Sequence, residues 1–364
     1  MAVGVGILGL AHGHVRAYAS AWRAQRALGI RVAAAWDHDI ERLKDAATAL
    51  KLDAETDAAT LLARDDVQAV VIGAETSRHA ELVELAAEAG RTIILQKPMA
   101  LTLDEADRII AAVDVAKVPF TMAWQMRVDP QNVKMKELIA SGAIGRVFSV
   151  RRRHGLSTHQ WGEWFTQSWH VKPELNRGMW ADDAAHAVDF LLWLLGEPAS
   201  VMAEIDTLHN ASVPDDNGVA IYRYADGTFA ELTCSFTCTA GENTTEIVGE
   251  EGAIIQNFGD APSCNVPRPP GGIGLKWYIA GEDAWHVSDI ASPANHAERI
   301  AALAEPLAAF MRGERGPIAT AREGRTALAM TLAAYDSSAQ GRRVGITTET
   351  QRYREKAKET TDAS

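Results

Sequence analysis

From Val3 to about Ala123, short apolar runs alternate with stretches whose apolar residues recur every three or four positions. The runs at Val3–Leu8, Val32–Trp36, Ala69–Ile72, Thr92–Leu95 and Pro119–Ala123 have the length and composition of strands buried on both faces. The stretches near 13–28, 39–50, 80–89 and 102–116 carry the helical period. Strict alternation of the two predicts a doubly wound parallel sheet. After Pro130 the pattern changes. A helix running to Ser141 stops at Gly142, Arg146–His154 is extended, and 155–178 is an aromatic, Gly-containing loop. A helix over 179–194 is stopped by Gly196 and Pro198. Residues 199–290 alternate strands with Gly, Pro, Asn and Asp breaks, and helices near 293–312 and 318–338 follow.

The opening residues give the first domain its chemistry. Val3-Gly-Val-Gly-Ile-Leu-Gly-Leu-Ala-His-Gly-His14 is an apolar strand meeting a glycine turn at the start of a helix. The next strand ends at Asp37, 28 positions beyond Gly9. This strand–turn–helix–strand–acid order is that of a Rossmann dinucleotide-binding unit. Such a turn lets backbone N–H groups and a helix N-terminus approach a pyrophosphate. Gly9, Leu10, Ala11, His12, Gly13 and His14 are therefore candidate cofactor contacts. His12 and His14 either touch the pyrophosphate or fill the turn. Asp37 is placed to accept from a ribose 2′-hydroxyl and to repel a 2′-phosphate, so NAD is expected ahead of NADP. The turn departs from the usual glycine spacing: Ala11 and His14 stand at the second and third glycine positions, and Gly13 is one place early. The expected architecture is α/β. A Rossmann doubly wound parallel sheet covers 1–124, and an α+β domain with a large, mostly antiparallel open sheet covers 125–345. A polar tail covers 346–364.

Composition narrows the partners. A net charge of −12 argues against nucleic acid and anionic membranes. The longest apolar run, near residue 190, is too short to cross a bilayer. Cys234, Cys238 and Cys264 lack metal-site spacing with histidines, so no metal is expected, and they read as reduced thiols of a cytoplasmic protein. The chain enters its first strand without a basic leader, which agrees with that location.

In Arg177-Gly-Met-Trp-Ala-Asp-Asp-Ala-Ala-His-Ala-Val-Asp189, a helix would align Asp182, His186 and Asp189 at i, i+4 and i+7. The bland alternative is a satisfied core histidine with flanking acids. Beside a dinucleotide-binding unit, an imidazole oriented by a carboxylate is equipment for proton transfer near neutral pH. His186 is the candidate base and Asp182 its orienter, while Asp189 reads as structural.

Further segments carry a resemblance. Gln96-Lys97-Pro98 resembles the Glu-Lys-Pro signature of the glucose-fructose oxidoreductase, inositol dehydrogenase and rhizopine-catabolism family of NAD(P)-dependent oxidoreductases. In order, Ala74-Glu-Thr-Ser-Arg-His79 resembles its Thr-Pro-Asn-x-x-His turn, and Met126-Arg127-Val-Asp-Pro130 its Arg-Phe-x-Pro segment. Ser141-Gly-Ala-Ile-Gly145 resembles the turn opening its second sheet, Asp182-Asp-Ala-Ala-His186 its Asp-x-Gly-x-His motif, and Ser338-Ala-Gln-Gly-Arg-Arg-Val344 its C-terminal end. The departures are Gln96 for Glu, Ala184 for Gly, and the Gly-poor turn.

The resemblance implies hydride transfer between NAD and a hydroxyl or ketone of a sugar, cyclitol or sugar derivative. It implies Lys97, Asp182 and His186 as the catalytic set, Thr76, His79, Gln96 and Lys97 along the cofactor cleft, and a homodimer or homotetramer formed through the second sheet. The Lys97 ammonium would stabilise a developing alkoxide. Trp161 and Trp164 are candidates for stacking on a sugar ring, or else for packing the loop on itself or on another subunit; Arg127 and Arg153 are candidates for an anionic sugar. Two other activities fit the same residues: glycoside cleavage through transient oxidation by tightly held NAD, and a non-catalytic NAD-binding regulator. Net NADH release separates the first from a dehydrogenase. Retention of Lys97, Asp182 and His186 argues against the second.

Overall fold

Six parallel strands in the order β3–β2–β1–β4–β5–β6 form one sheet of the computed structural model, which describes residues 2–239, 242–257, 271–291 and 293–346. They are β1 (Val3–Leu8), β2 (Ile30–Trp36), β3 (Asp53–Glu55), β4 (Ala69–Ile72), β5 (Thr92–Leu95) and β6 (Phe120–Met122). Helices α1 (Gly13–Ala24), α2 (Ile40–Leu50), α3 (Ala58–Ala63), α4 (His79–Glu88) and α5 (Leu103–Ala116) connect them. The central strands are near-continuous buried runs, as a sheet covered on both faces requires. The helix starts are written in the sequence. Asp39 caps α2 and Asp57 caps α3, while Thr102 and Glu105 form a capping box on α5. β3 and α3 were not anticipated: β3 is a polar edge strand with no apolar run to mark it. The reversal of strand order falls between β1 and β4, where such sheets bind ligands.

Contacts gather residues 1–129, 163–178 and 293–324 into one compact unit, where a single cut at 124 was expected from sequence. Trp22 donates to the carbonyl of Ala304 at 2.7 Å, Arg177 to that of Leu101 at 2.8 Å, and the Met122 N–H to that of Ala319 at 2.9 Å. The unit therefore also holds α7 (Glu163–Thr166), α8 (Pro173–Asn176), α10 (His296–Ala301) and α11 (Ala304–Met311). The single helix expected over 293–312 is broken at Ala302–Leu303.

The second unit comprises the described residues of 130–162, 179–291 and 325–346. It contains α6 (Pro130–Ala140), α9 (Ala185–Leu195) and most of α12 (Ala321–Gln340). Its strands are β7 (Val147–Gly155), β8 (Ser200–Asp206), β9 (Asn217–Arg223), β10 (Phe229–Ser235), β11 (Thr244–Gly249), β12 (Gly252–Gln256), β13 (Leu275–Ile279), β14 (His286–Val287) and β15 (Val344–Gly345). The sheet order is β14–β13–β12–β11–β7–β10–β9–β8–β15, antiparallel except for β7 against β10. The inner face buries Val150, Arg152, His154, Leu232, Cys234, Tyr222 and Ile247. α12 is fastened to it where the Tyr222 hydroxyl donates to the carbonyl of Met330 and the Ala203 N–H donates to Ser337 Oγ. The other face leaves Ile221, Phe229 and Val248 exposed around Arg151, which pairs with Glu231 and Glu246. Cys264 and the tail from 347 lie outside the described residues.

Candidate active site

Gly9 has φ +85°, and a Cβ there would meet backbone atoms of Ala74 at 2.4 Å, so only glycine lets these two turns meet. A side chain on Gly13, at the start of α1, would meet nothing within 4 Å. No acid occupies the first turn of α1. The helix end thus leaves room beside Gly13 and carries no acid in its first turn, which fits a pyrophosphate. The imidazole of His12 caps α1, accepting from the His14 N–H at 3.4 Å. His14 stands edge-on to it, with ring centroids 4.3 Å apart. The indole N–H of Trp169 donates to the carbonyl of Ala11 at 3.1 Å.

Asp37 directly follows β2, but its carboxylate is already engaged. Oδ2 accepts from the Leu10 N–H at 2.6 Å and Arg42 Nε at 2.8 Å; Oδ1 accepts from the Asp39 N–H at 2.8 Å and Arg42 Nη2 at 2.7 Å. Arg42 also reaches Glu75 at 2.9 Å, and His38 lies within 3.4 and 3.6 Å of the two acids. Neither Arg42 nor Glu75 was singled out from sequence. The only signal is that Arg42 falls in the first turn of the helix following Asp37.

Lys97 is buried at the carboxyl end of β5 and is joined to Pro98 by a cis peptide bond. The residues beside it differ from their expected roles. Gln96 is fully buried and donates to the Tyr18 hydroxyl at 2.9 Å; burial raises the Tyr18 ionisation well above the usual phenol range, against the opposing hydrogen bond. His79 has no exposed surface on which to touch a cofactor. It braces the turn after Lys97, with Nδ1 at 2.9 Å from the carbonyl of Pro98 and Nε2 at 3.2 Å from that of Ala74. Burial outweighs these contacts and pulls its pKa down to about 4. Thr76 donates to the amide oxygen of Asn176 at 2.5 Å. Arg127, expected near an anionic sugar, is buried against Glu323 at 2.5 Å. Burial there works against the carboxylate, but the Arg127 charge and the Thr320 donors prevail and hold Glu323 below its usual range.

In the second unit, residues Trp180–Ala184 form a π-helical turn leading into α9, and His186, Asp182, Asp183 and Asp189 are all buried. Turns of this kind recur at functional sites. The wider turn brings Asp183, a residue that sequence reasoning passed over, to His154: Nε2 lies 2.8 Å from Asp183 Oδ2. The rings of His154 and His186 are 6.5 Å apart. Cys234 pairs with His154 in register; burial, and then the negative charge of Asp183, push its thiol up. Arg153 faces the opposite side of the sheet from His154 and so does not join this group; strand alternation places Arg152 there instead. In the aromatic loop, Phe165, Trp169 and Trp180 are core, Trp161 is half-buried and Trp164 is 63% exposed. Among the described residues, no group of three or more His, Cys, Asp or Glu is arranged to hold a metal ion, and no helix is long and apolar enough to cross a membrane.

Residues 3–123 match the oxidoreductase family with an NAD-binding Rossmann fold, and residues 132–255 match the GFO/IDH/MocA C-terminal domain. The chain belongs to the GFO/IDH/MocA oxidoreductases. Within that family it is 28% identical over 299 residues to the 1,5-anhydro-D-fructose reductase of Ensifer adhaerens, covering 79% of this chain and 82% of the relative. It is 26% identical over 335 residues to the D-apiose dehydrogenase of Paraburkholderia graminis, covering 87% and 84%. A levoglucosan dehydrogenase solved with NADH superposes with a TM-score of 0.79 at 21% identity, over 96% of this chain and all (100%) of the other. The GFO/IDH/MocA assignment makes this an oxidoreductase with an NAD-binding domain, in agreement with the glycine turn, Asp37 and the strand order.

Proposed function

We propose that the protein transfers a hydride between NAD and a secondary hydroxyl or ketone of a sugar, cyclitol or sugar derivative. The observation that carries this reading is the buried acid–imidazole group around His186, in a chain whose other unit is an NAD-binding domain. The relatives' names, an anhydro-fructose reductase and an apiose dehydrogenase, support the substrate class. When bound, NAD supplies the hydride acceptor; the protein's share is the proton. His186 takes the proton of the reacting hydroxyl, and Asp182 orients the imidazole or holds a neighbouring hydroxyl. Lys97 stabilises the alkoxide as it develops. Gly9 to His14 hold the pyrophosphate, and Asp37 favours NAD over NADP. The exposed Ile221, Phe229 and Val248 on the outer face of the second sheet support a homo-oligomer closed through that face.

A panel of sugars, inositols, anhydro sugars and glycosides, each with NAD and NADP, tests the reading. Nicotinamide absorbance and product identity are followed together. Stoichiometric NADH with an oxidised sugar is the expected result. Glycoside cleavage without net NADH, or no turnover anywhere in the panel, contradicts it.

A further inference from the structure

The inner face of the second sheet carries a polar chain that the proposed chemistry does not yet use. His154 on β7 contacts Asp183 through Nε2 at 2.8 Å and Arg152 Nη2 through Nδ1 at 3.3 Å. A guanidinium only donates, so Nδ1 is an acceptor and Nε2 carries the hydrogen given to Asp183. That is the neutral imidazole. Arg152 is itself fixed: Nη1 donates to Thr245 Oγ1 at 3.0 Å, and its guanidinium lies 5.3 Å over the ring of Phe190. Thr245 donates to Gln256 Oε1 at 3.0 Å, and the Gln256 amide donates to Asn132 Oδ1 at 3.0 Å. Every member of this chain is nine-tenths buried or more. Such an array fixes side-chain geometry because each unmade bond is costly.

The ring of His186 lies 6.5 Å from that of His154, centroid to centroid. Two positive imidazoles at that distance would oppose each other by about two pH units at an effective dielectric constant near 20. A neutral His154 removes this conflict, and the Asp183 carboxylate adds a negative charge to the pair. The other ionisable groups on the elements that carry the pair are Asp182 on the π-turn and Asp189 on α9, both buried, and Cys234 on β10, opposite His154 in register; Tyr335 on α12 accepts from the Ala181 N–H of the π-turn at 3.1 Å and donates to Asp215 at 2.7 Å.

We infer that Arg152, His154 and Asp183 are positioning residues: the Arg152 guanidinium at Nδ1 opposes protonation of His154, and Asp183 fixes its tautomer and lends a negative charge to the pair, so that of the two imidazoles His186 alone takes up the proton of the reaction. This rests on His186 being the base. The consequence is a sign: Asp183 favours the protonated form of His186, so its removal makes that form harder to reach.

Nitrogen NMR of histidine-labelled wild-type enzyme, without substrate, reads the charge and tautomer of both rings between pH 5 and 8.5. His154 is expected to stay neutral with its hydrogen on Nε2 while His186 titrates. Asp183→Asn is expected to move the acid limb of kcat/KM down by roughly one pH unit and to leave NAD affinity unchanged, with Asp183→Glu restoring part of the shift. A purely structural role would lower the melting temperature and leave the limb in place. The inference is overturned by a wild-type His154 that titrates with or above His186, or by an unmoved limb in folded Asp183→Asn. Should that variant not fold, the wild-type titration decides. Failure of the underlying reading looks different: His186→Ala would keep near-normal turnover whatever His154 does.

Discussion

Arg42 closes on Asp37 as a two-pronged pair, Nε to Oδ2 at 2.8 Å and Nη2 to Oδ1 at 2.7 Å, with no part of the Asp37 side chain exposed. The acid that should meet the ribose is thus held by a cation that, once released, would suit a 2′-phosphate. Asp37→Ser should therefore do more than remove a repulsive charge. It leaves Arg42 with Glu75 alone. The NAD-to-NADP ratio of kcat/KM is expected to fall by at least about tenfold, the equivalent of ~1.4 kcal/mol. An unchanged ratio would show that Asp37 does not discriminate the cofactors.

Removing Arg42 instead takes the bidentate cation from a buried carboxylate and leaves it the Leu10 and Asp39 N–H donors. Arg42→Ala is expected to destabilise the protein by roughly 3 kcal/mol, the usual result of deleting one partner of a buried pair. Chemical denaturation measures this directly; a loss below ~1 kcal/mol would mark the pair as a surface interaction.

His79 gives stability a pH dependence of known sign. Its folded pKa, about 4, lies below the ordinary imidazole value of 6.5, because burial disfavours the charged ring. Above pH 6.5 both folded and unfolded chains hold it neutral, and its contribution is complete. As pH falls from 6.5 toward 4, the unfolded chain binds a proton that the folded one refuses, and up to roughly 3 kcal/mol is lost. His79→Gln should flatten the fall in melting temperature between pH 7 and 5. A parallel pH profile in wild type and variant would remove His79 as its source.

The sequence displayed what long apolar runs encode. Five strands of the first sheet and the parallel winding were readable because each central strand is buried on both faces. β3 was not, since Asp53-Ala-Glu55 is a polar edge. Nor was the discontinuous first unit, because a contact such as Trp22 with Ala304 joins residues that no local pattern connects. In the candidate site, Lys97, Asp182 and His186 were singled out through their motifs. Arg42, Arg152, His154 and Asp183 were not, for geometric reasons. Strand parity decided between Arg152 and Arg153, and a π-turn over Trp180–Ala184 replaced the start of the helix expected over 179–194, which brought Asp183 into the group.

Gln96 lies against Tyr18, so Gln96→Glu should act first on stability. It buries a carboxylate where the amide donated, and the Tyr18 hydroxyl can donate back only in part. A loss of roughly 1–3 kcal/mol is expected, read by thermal melting. Equal stability would show that the site accepts the acid without strain.

The most direct test of the central claim is the turnover of His186→Ala on the best substrate of the panel, with NAD affinity measured alongside. The account predicts a fall of roughly two to four orders of magnitude in kcat, with NAD binding unchanged. Turnover within a few-fold of wild type would contradict His186 as the base.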